Sequence, residues 1–463
     1  MLKNFSIGLL SIFFLTVAFF ICSPQVKAQS SKKLAESAKK LVAEGDVLYR
    51  QKDYRGAIEK YDKATVLDGN YSLVFYSKGY AHYNLGEYDK AIEAFDAALK
   101  QGYAPLDVYN IRSQAYFMKK DYDGALRDAQ AAILLAPTNP YFYLAAGQAY
   151  HEKGDCPNAV AAFKKAIELK TNDPNVNYYL AKSYNKSGDF TEQGLAGAEA
   201  IKENTTYPGE TWNLIAQSLQ SANKQDEAVE AYERALIAKP DLYDAYISLS
   251  NLYEEMNRFD DAMATAKKGL KIFPNDGNLY VNLSSYSSLA DHPQDAVVAA
   301  QQAIKLLPDK YMGYTNLCRA YNDLKAYDLA IEACGKALEL NPGDGETNFY
   351  LGRAYDLLKK TETATPYYQK AVDGLVQFTK NNPNDGNGFY LLGNAYYTTG
   401  QKQEAAAAYL KSLQMNPRFA KARYNLGVLY ANDGNKDAAR EQYDALAKID
   451  ANLAAKLLEA INK

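Results

Sequence analysis

An alanine that returns every 34 residues constrains this chain more than any other feature. Ala57, Ala91, Ala125 and Ala159 are spaced by 34 residues, and so are Ala228, Ala262, Ala296, Ala330 and Ala364. Ala405 follows after 41 residues and Ala439 after a further 34, while Gln193 fills the slot between Ala159 and Ala228. A fixed period of this length belongs to stacked supersecondary units rather than to one globular core. About twelve units cover most of residues 38–452.

Other columns keep step. Twelve residues before the alanine stands a small residue, as at Gly45, Gly79, Ser113, Gly147, Ala181, Ala216, Gly352 and Gly393. Four residues after it comes Tyr or Phe in many units (Tyr61, Phe95, Phe163, Tyr232, Tyr368, Tyr409), and twelve after it a proline recurs (Pro137, Pro240, Pro308, Pro342, Pro417). Each unit reads as two amphipathic helices joined by a short turn. The small residues let the two backbones approach. A glycine such as Gly86 suits the left-handed end of the first helix, and the proline ends the second. One such pair cannot bury its apolar face alone, so neighbours must stack.

These residues resemble the tetratricopeptide-repeat (TPR) family. Trp212, Leu351-Gly352 with Tyr355, Ala91 with Phe95 and Ala98, and Pro342 stand on its signature positions, and the match recurs in phase through about twelve units. The resemblance implies an all-α, right-handed α-solenoid with a capping helix over residues 453–463. The expected organisation is an N-terminal array at 38–207, whose fifth repeat is degenerate, and a C-terminal array at 208–452. The degenerate repeat carries Gln193, Gly194 and Gly197 in its second helix, which reads either as plain sequence drift, the favoured reading, or as a weak stack where the solenoid bends. Seven extra residues near 372–380 are two helical turns, enough to lengthen a helix without changing its face.

The first 28 residues read as a signal peptide. Lys3 precedes an apolar run over residues 5–21, and Val26-Lys27-Ala28 suits cleavage after Ala28. The expected location is periplasmic or extracellular, with no membrane insertion after cleavage. The alternative is an uncleaved membrane anchor. Export permits disulfides. Cys318 and Cys334 lie on the two helices of the ninth repeat, and two buried thiols acting as small hydrophobes are favoured over a disulfide. Cys156 falls in a turn and is expected to be exposed.

Little supports catalysis. His82 falls on a packing position and His292 in a turn, and the three histidines share no metal-ligand spacing with one another. There is no phosphate loop, dinucleotide fingerprint or nucleophile elbow. No catalytic residue, metal or cofactor is expected. A net charge of −3 argues against nucleic-acid binding. The 40 tyrosines, against 17 phenylalanines and one tryptophan, are largely explained by two packing columns in the first helices.

In TPR proteins the first helices line a concave groove. The column after the small position is mostly hydrogen-bonding here: Gln114, Gln148, Lys182, Gln217, Asn251, Arg319, Arg353 and Asn394. Side-chain amides both donate and accept, as an extended peptide backbone requires. Tyr76, Tyr80, Tyr83, Phe117 and Tyr141 join this face near the N-terminal end and are not required by the packing columns. Tyr390 and Tyr397 join it near the other end. Arg319 and Arg353 are expected to hold a carboxylate. A carboxylate-clamp role of the kind some TPR adaptors have is disfavoured by Val42, Asp46 and Tyr76 at the relevant positions. The chain is therefore expected to be a non-enzymatic scaffold for proteins or peptides, with cell-wall polysaccharide binding through groove tyrosines as the alternative.

Overall fold

The computed structural model describes residues 24–462, which contain helices and no strands. The apolar run at 5–21 lies outside the described residues. No helix among the described residues is long and apolar enough to cross a membrane. The chain forms two compact units, one ending at Tyr207 and the other starting at Pro208. The N-terminal unit contains α1 (Pro24–Arg50), α2 (Tyr54–Leu67), α3 (Ser72–Asn84), α4 (Tyr88–Lys100), α5 (Pro105–Met118), α6 (Tyr122–Leu135), α7 (Pro140–Lys153), α8 (Cys156–Glu168), α9 (Val176–Ser187) and α10 (Phe190–Lys202). The C-terminal unit begins with α11 (Pro208–Ser221), α12 (Gln225–Ala238), α13 (Tyr243–Glu255), α14 (Phe259–Ile272), α15 (Gly277–Leu289), α16 (Pro293–Leu306) and α17 (Tyr311–Asp323). It continues with α18 (Tyr327–Leu340), α19 (Gly345–Leu357), α20 (Thr361–Asn381), α21 (Gly386–Thr398), α22 (Lys402–Met415), α23 (Ala420–Asn432), α24 (Lys436–Leu446) and α25 (Ala451–Asn462). Odd-numbered helices up to α23 are the first helices of the repeats. Within each unit successive helices stack on one another, which makes each an α-solenoid.

The period has a packing cause. The slot alanines are buried to the last atom, as at Ala57, Ala91, Ala228 and Ala330. The small first-helix position receives the aromatic ring that follows the alanine. A Cβ on Gly147 would lie 2.6 Å from Phe163 Cε1, and one on Gly79 2.5 Å from Phe95 Cε1. Any side chain there would displace the ring. Between the helices, every repeat turns through the left-handed region five residues before the alanine slot, from φ 56° at Asn257 to φ 82° at Gly154. Asp53, Asp121, Asp155, Asp189 and Asn435 then cap the second helices by accepting a backbone N–H three residues on. First-helix tyrosines tie down the interrepeat proline turns: Tyr143 donates to Pro137 O (3.0 Å) and Tyr246 to Pro240 O (3.1 Å).

Gln193 is wholly buried in its alanine slot and accepts a hydrogen bond from Asn185 Nδ2 (3.2 Å). Both helices of that repeat are complete, glycines included. Two cysteine expectations are corrected. Cys318 and Cys334 form a disulfide, with their Cα atoms 5.2 Å apart. Cys156 is buried, because it opens α8 in the slot where other repeats place Tyr54, Tyr88 and Tyr122.

In the C-terminal unit the first helices α15, α17 and α19 pack directly on one another. Small and polar side chains make this close approach. Thr315 Oγ1 and Thr347 Oγ1 are 2.6 Å apart, and Asn316 Nδ2 donates to Ser284 Oγ (2.7 Å) and Val281 O (3.0 Å). The coil then closes on itself. Asn257 Nδ2 donates to Asn416 Oδ1 (2.9 Å), Asn416 Nδ2 to Glu255 O (2.8 Å), and Asn387 Nδ2 to Glu254 Oε1 (2.9 Å). Lys421 Nζ reaches Leu289 O (3.3 Å) and Asp291 Oδ1 (3.1 Å). Repeats four apart in sequence are thereby clasped across the groove. The helix α25 ends the unit, burying Leu457 and Ile461, which is the cap that a terminal repeat needs.

Candidate functional site

The residues expected to line a groove come together in two places. In the N-terminal unit, Tyr83 of α3, Gln114 and Phe117 of α5 and Gln148 of α7 border one pocket of about 240 Å³, with Met118 and Ala145. Gln114 is exposed, Phe117 and Gln148 are half-buried, and Met118 stands 51% exposed. Three successive first helices thus offer two amides beside apolar surface. Lys182 is half-buried on α9, with Nζ 5.8 Å from the Tyr178 ring centre. Tyr141 projects at 48% exposure.

The remaining aromatics at this end are used by the packing after all. Tyr76 stacks on Tyr103 with ring centres 4.2 Å apart and meets Tyr80 edge-on at 5.1 Å. Tyr80 stands edge-on to Phe95. Tyr83 meets Tyr88, and Phe117 meets Tyr122, in the same edge-to-face manner. Burial holds the Tyr76 and Tyr83 hydroxyls above the ordinary phenol range, so both stay neutral donors at physiological pH.

In the C-terminal unit, Arg353, Tyr390, Asn394 and Tyr397 border a second pocket of about 370 Å³. Its polar groups are already engaged with one another. Asn394 Oδ1 accepts from Tyr409 OH and from Asn425 Nδ2, both at 2.8 Å, and Tyr397 OH accepts from Asn432 Nδ2 (3.1 Å). Asn251 Oδ1 likewise accepts from Tyr286 OH (2.6 Å), as Asp46 does from Tyr61 OH (2.7 Å). Part of the polar column therefore serves to satisfy buried tyrosine hydroxyls. Gln217 is half-buried on α11, away from both pockets.

Arg319 and Arg353, expected to hold a carboxylate, each hold one that the chain itself supplies. Arg353 Nη1 donates to Asp323 Oδ1 (3.2 Å). Arg319 is 8% exposed, donates to Glu346 Oε1 (3.2 Å), and places Nη2 on Ser285 O and Oγ (3.3 and 3.1 Å). Burial is the largest influence on Arg319 and works against its charge, but Glu346, Tyr350 and Asp323 together outweigh it and raise its proton affinity. Sequence reasoning missed Glu254, Glu346 and Asp385 around this arginine. They stand at helix ends, where a lone carboxylate reads as solvated surface.

Stacked helix pairs with these columns define the class as an α-solenoid of interaction repeats. Tetratricopeptide-repeat models match residues 45–86, 76–141, 147–188, 219–285, 311–344 and 390–454. The chain belongs to the tetratricopeptide-repeat family. Among solved structures it is similar to the MamA protein, at 26% identity over 37% of this chain and 94% of that one, with a TM-score of 0.33. Yeast Tom70 is similar at 17% identity over 92% of this chain and 94% of that one (TM-score 0.40). YrrB, described as a TPR protein with an unusual peptide-binding site, is 25% identical over 42% of this chain and 97% of that one (TM-score 0.26). These TM-scores lie below 0.5, so the family rests on the repeat matches and not on the structures. No curated protein matches the chain significantly in sequence.

Proposed function

We propose that the chain is an exported, non-enzymatic scaffold that docks an extended segment of a partner protein on the first-helix face of its N-terminal unit. One observation carries this reading: Tyr83, Gln114, Phe117 and Gln148, from three successive first helices, converge on a single pocket. The amides match the alternating donors and acceptors of an extended backbone, and Phe117 with Met118 supplies an apolar seat for one side chain. The glycan reading is less well supported, because Tyr76 already spends a ring face on Tyr103 and Tyr83 and Phe117 are engaged by neighbouring rings. Export is supported by the charged start, apolar run and small residues up to Ala28. The Cys318–Cys334 disulfide, which favours an oxidising compartment, agrees with it.

The test is in-cell cross-linking with mass spectrometry on the chain and on its Phe117→Ala/Gln114→Ala variant. Helicity should be unchanged and cross-links to α5 and α7 should fall at least tenfold. An unchanged partner set would remove this pocket from consideration. N-terminal sequencing of the mature protein should begin at Gln29, and an intact Met1 would overturn cleavage.

A further inference from the structure

Two buried polar side chains on neighbouring first helices of the C-terminal unit each leave an atom unpaired, and both border one cavity. The cavity, of about 420 Å³, is bordered by Ser288 of α15 and Asn322 of α17. Ser288 is 6% exposed and Asn322 2% exposed. Asn322 Nδ2 is turned inward, donating to Cys318 O (3.1 Å) and Tyr350 O (3.2 Å), while Oδ1 accepts no hydrogen bond among the described residues. Ser288 Oγ is unpaired as well. Ser284 and Ser287 of the same helix donate back to Val281 O and Leu283 O (both 2.7 Å), the usual local bond for a helical serine. Ser288 makes no such bond. Buried polar atoms are nearly always satisfied, so two left open at one cavity mark where an outside group completes the bonding.

The rim decides the kind of ligand. Both of its carboxylates already hold a cation: Asp323 Oδ1 accepts from Arg353 Nη1 (3.2 Å), and Asp291 Oδ1 from Lys421 Nζ (3.1 Å). Lys325, on the turn after α17, adds one more donor. Asn322 Oδ1 needs a donor, and the Ser288 hydroxyl can give or take a proton. A ligand hydroxyl serves both, because it donates and accepts, whereas an ammonium only donates and a carboxylate only accepts. Half-buried Tyr327 and 42%-exposed Leu357 set apolar surface beside these groups. A molecule with hydroxyls along its edge and C–H groups on its face matches both parts of the wall. The cavity lies within the roughly 300–1,000 Å³ of small-molecule sites and far exceeds the roughly 30 Å³ share of one water.

We propose that this cavity binds a single sugar residue, whose hydroxyls donate to Asn322 Oδ1 and accept from Ser288 Oγ and Lys325 Nζ, with a C–H face of the ring against Tyr327 and Leu357. The residue arrives either as a free monosaccharide or within a glycan chain. The site uses none of the N-terminal tyrosines and lies in the other unit from the peptide pocket, so either proposal can fail without the other.

Saturation-transfer NMR titrations on the full chain test this. The probes are D-glucose, D-galactose, D-mannose and N-acetyl-D-glucosamine, the methyl glycoside of each, and tetrahydropyran, which is the ring without its hydroxyls. Ser288→Ala removes a hydroxyl that holds nothing in the fold and should leave the melting temperature unchanged. Asn322→Ala also removes the Nδ2 bonds between α17 and α19, so Ser288→Ala carries the test if that chain does not fold. The expected result is binding of at least one sugar at millimolar concentration, none of tetrahydropyran, and binding weakened about threefold or more by Ser288→Ala, the loss of one hydrogen bond. Binding that survives the methyl group admits a residue within a glycan, and binding lost with it identifies a free monosaccharide. If no sugar binds, if tetrahydropyran binds equally well, or if Ser288→Ala binds as the parent does, the proposal is overturned.

Discussion

Replacing Glu254 by Gln should change how stability depends on pH. The folded chain raises this carboxyl from the ordinary 4.5 to about 7, first through burial, then through Asp385, with Glu255 and Glu346 adding and Arg319 opposing. A carboxyl that binds its proton more tightly when folded contributes stability that is fully present below the unfolded value. That contribution is lost as pH rises through 7. At about 1.4 kcal/mol per tenfold change in proton affinity, the full contribution is at most about 3 kcal/mol. Glu254 keeps partial contact with water, and screening lowers the expected figure to about 1–2 kcal/mol. Glutamine stays neutral throughout and still accepts from Asn387. Urea denaturation of parent and variant at pH 4 and pH 8 measures the difference, and amide hydrogen exchange in α13 and α21 assigns it to the C-terminal unit. The two chains should be nearly equally stable at pH 4, below the unfolded value, with the variant ahead by about 1–2 kcal/mol at pH 8. Parallel pH dependences, or a variant that is weaker at pH 8, would refute the reasoning.

Two further perturbations test the packing. Gly147→Ala places a methyl 2.6 Å from Phe163 Cε1 and should cost about 1–3 kcal/mol by overpacking, read as a lower urea midpoint. Cys334→Ala opens a loop with a sequence separation of 16 and should cost about 2–4 kcal/mol. A reducing agent should mimic it in the parent and leave the variant's melting unchanged.

The repeat was legible because every column that builds it is a short spacing. Alanine, small residue and ring meet within one helix pair, so a single chain displays the rule about twelve times. The aromatic at the start of the second helices was equally visible at Tyr54, Tyr88 and Tyr122, and would have placed Cys156 in the interior. The groove column was harder. Its polarity has two physical causes, contact with solvent and satisfaction of buried tyrosine hydroxyls, and Asn394 and Gln114 look alike in sequence. Arg319 went inside because Ser284, Thr315 and Thr347 let three first helices close up. The clasp joins residues 130 to 161 positions apart, and no local pattern records such a pairing.

The lengthened helix α20 has a consequence for how a pocket can arise in a periodic protein. A second helix of ordinary length, such as α18, would end near Gly374, yet Leu375, Gln377, Phe378 and Asn381 of the overhang all border a pocket beside Arg319. Because the addition is two whole helical turns, the repeats on either side keep their phase and their stacking faces. The wall is therefore a separable part. Excising one heptad should return α20 to standard length with the solenoid intact and the cavity laid open. Inserting one elsewhere offers a way to build a new recess into an otherwise uniform array.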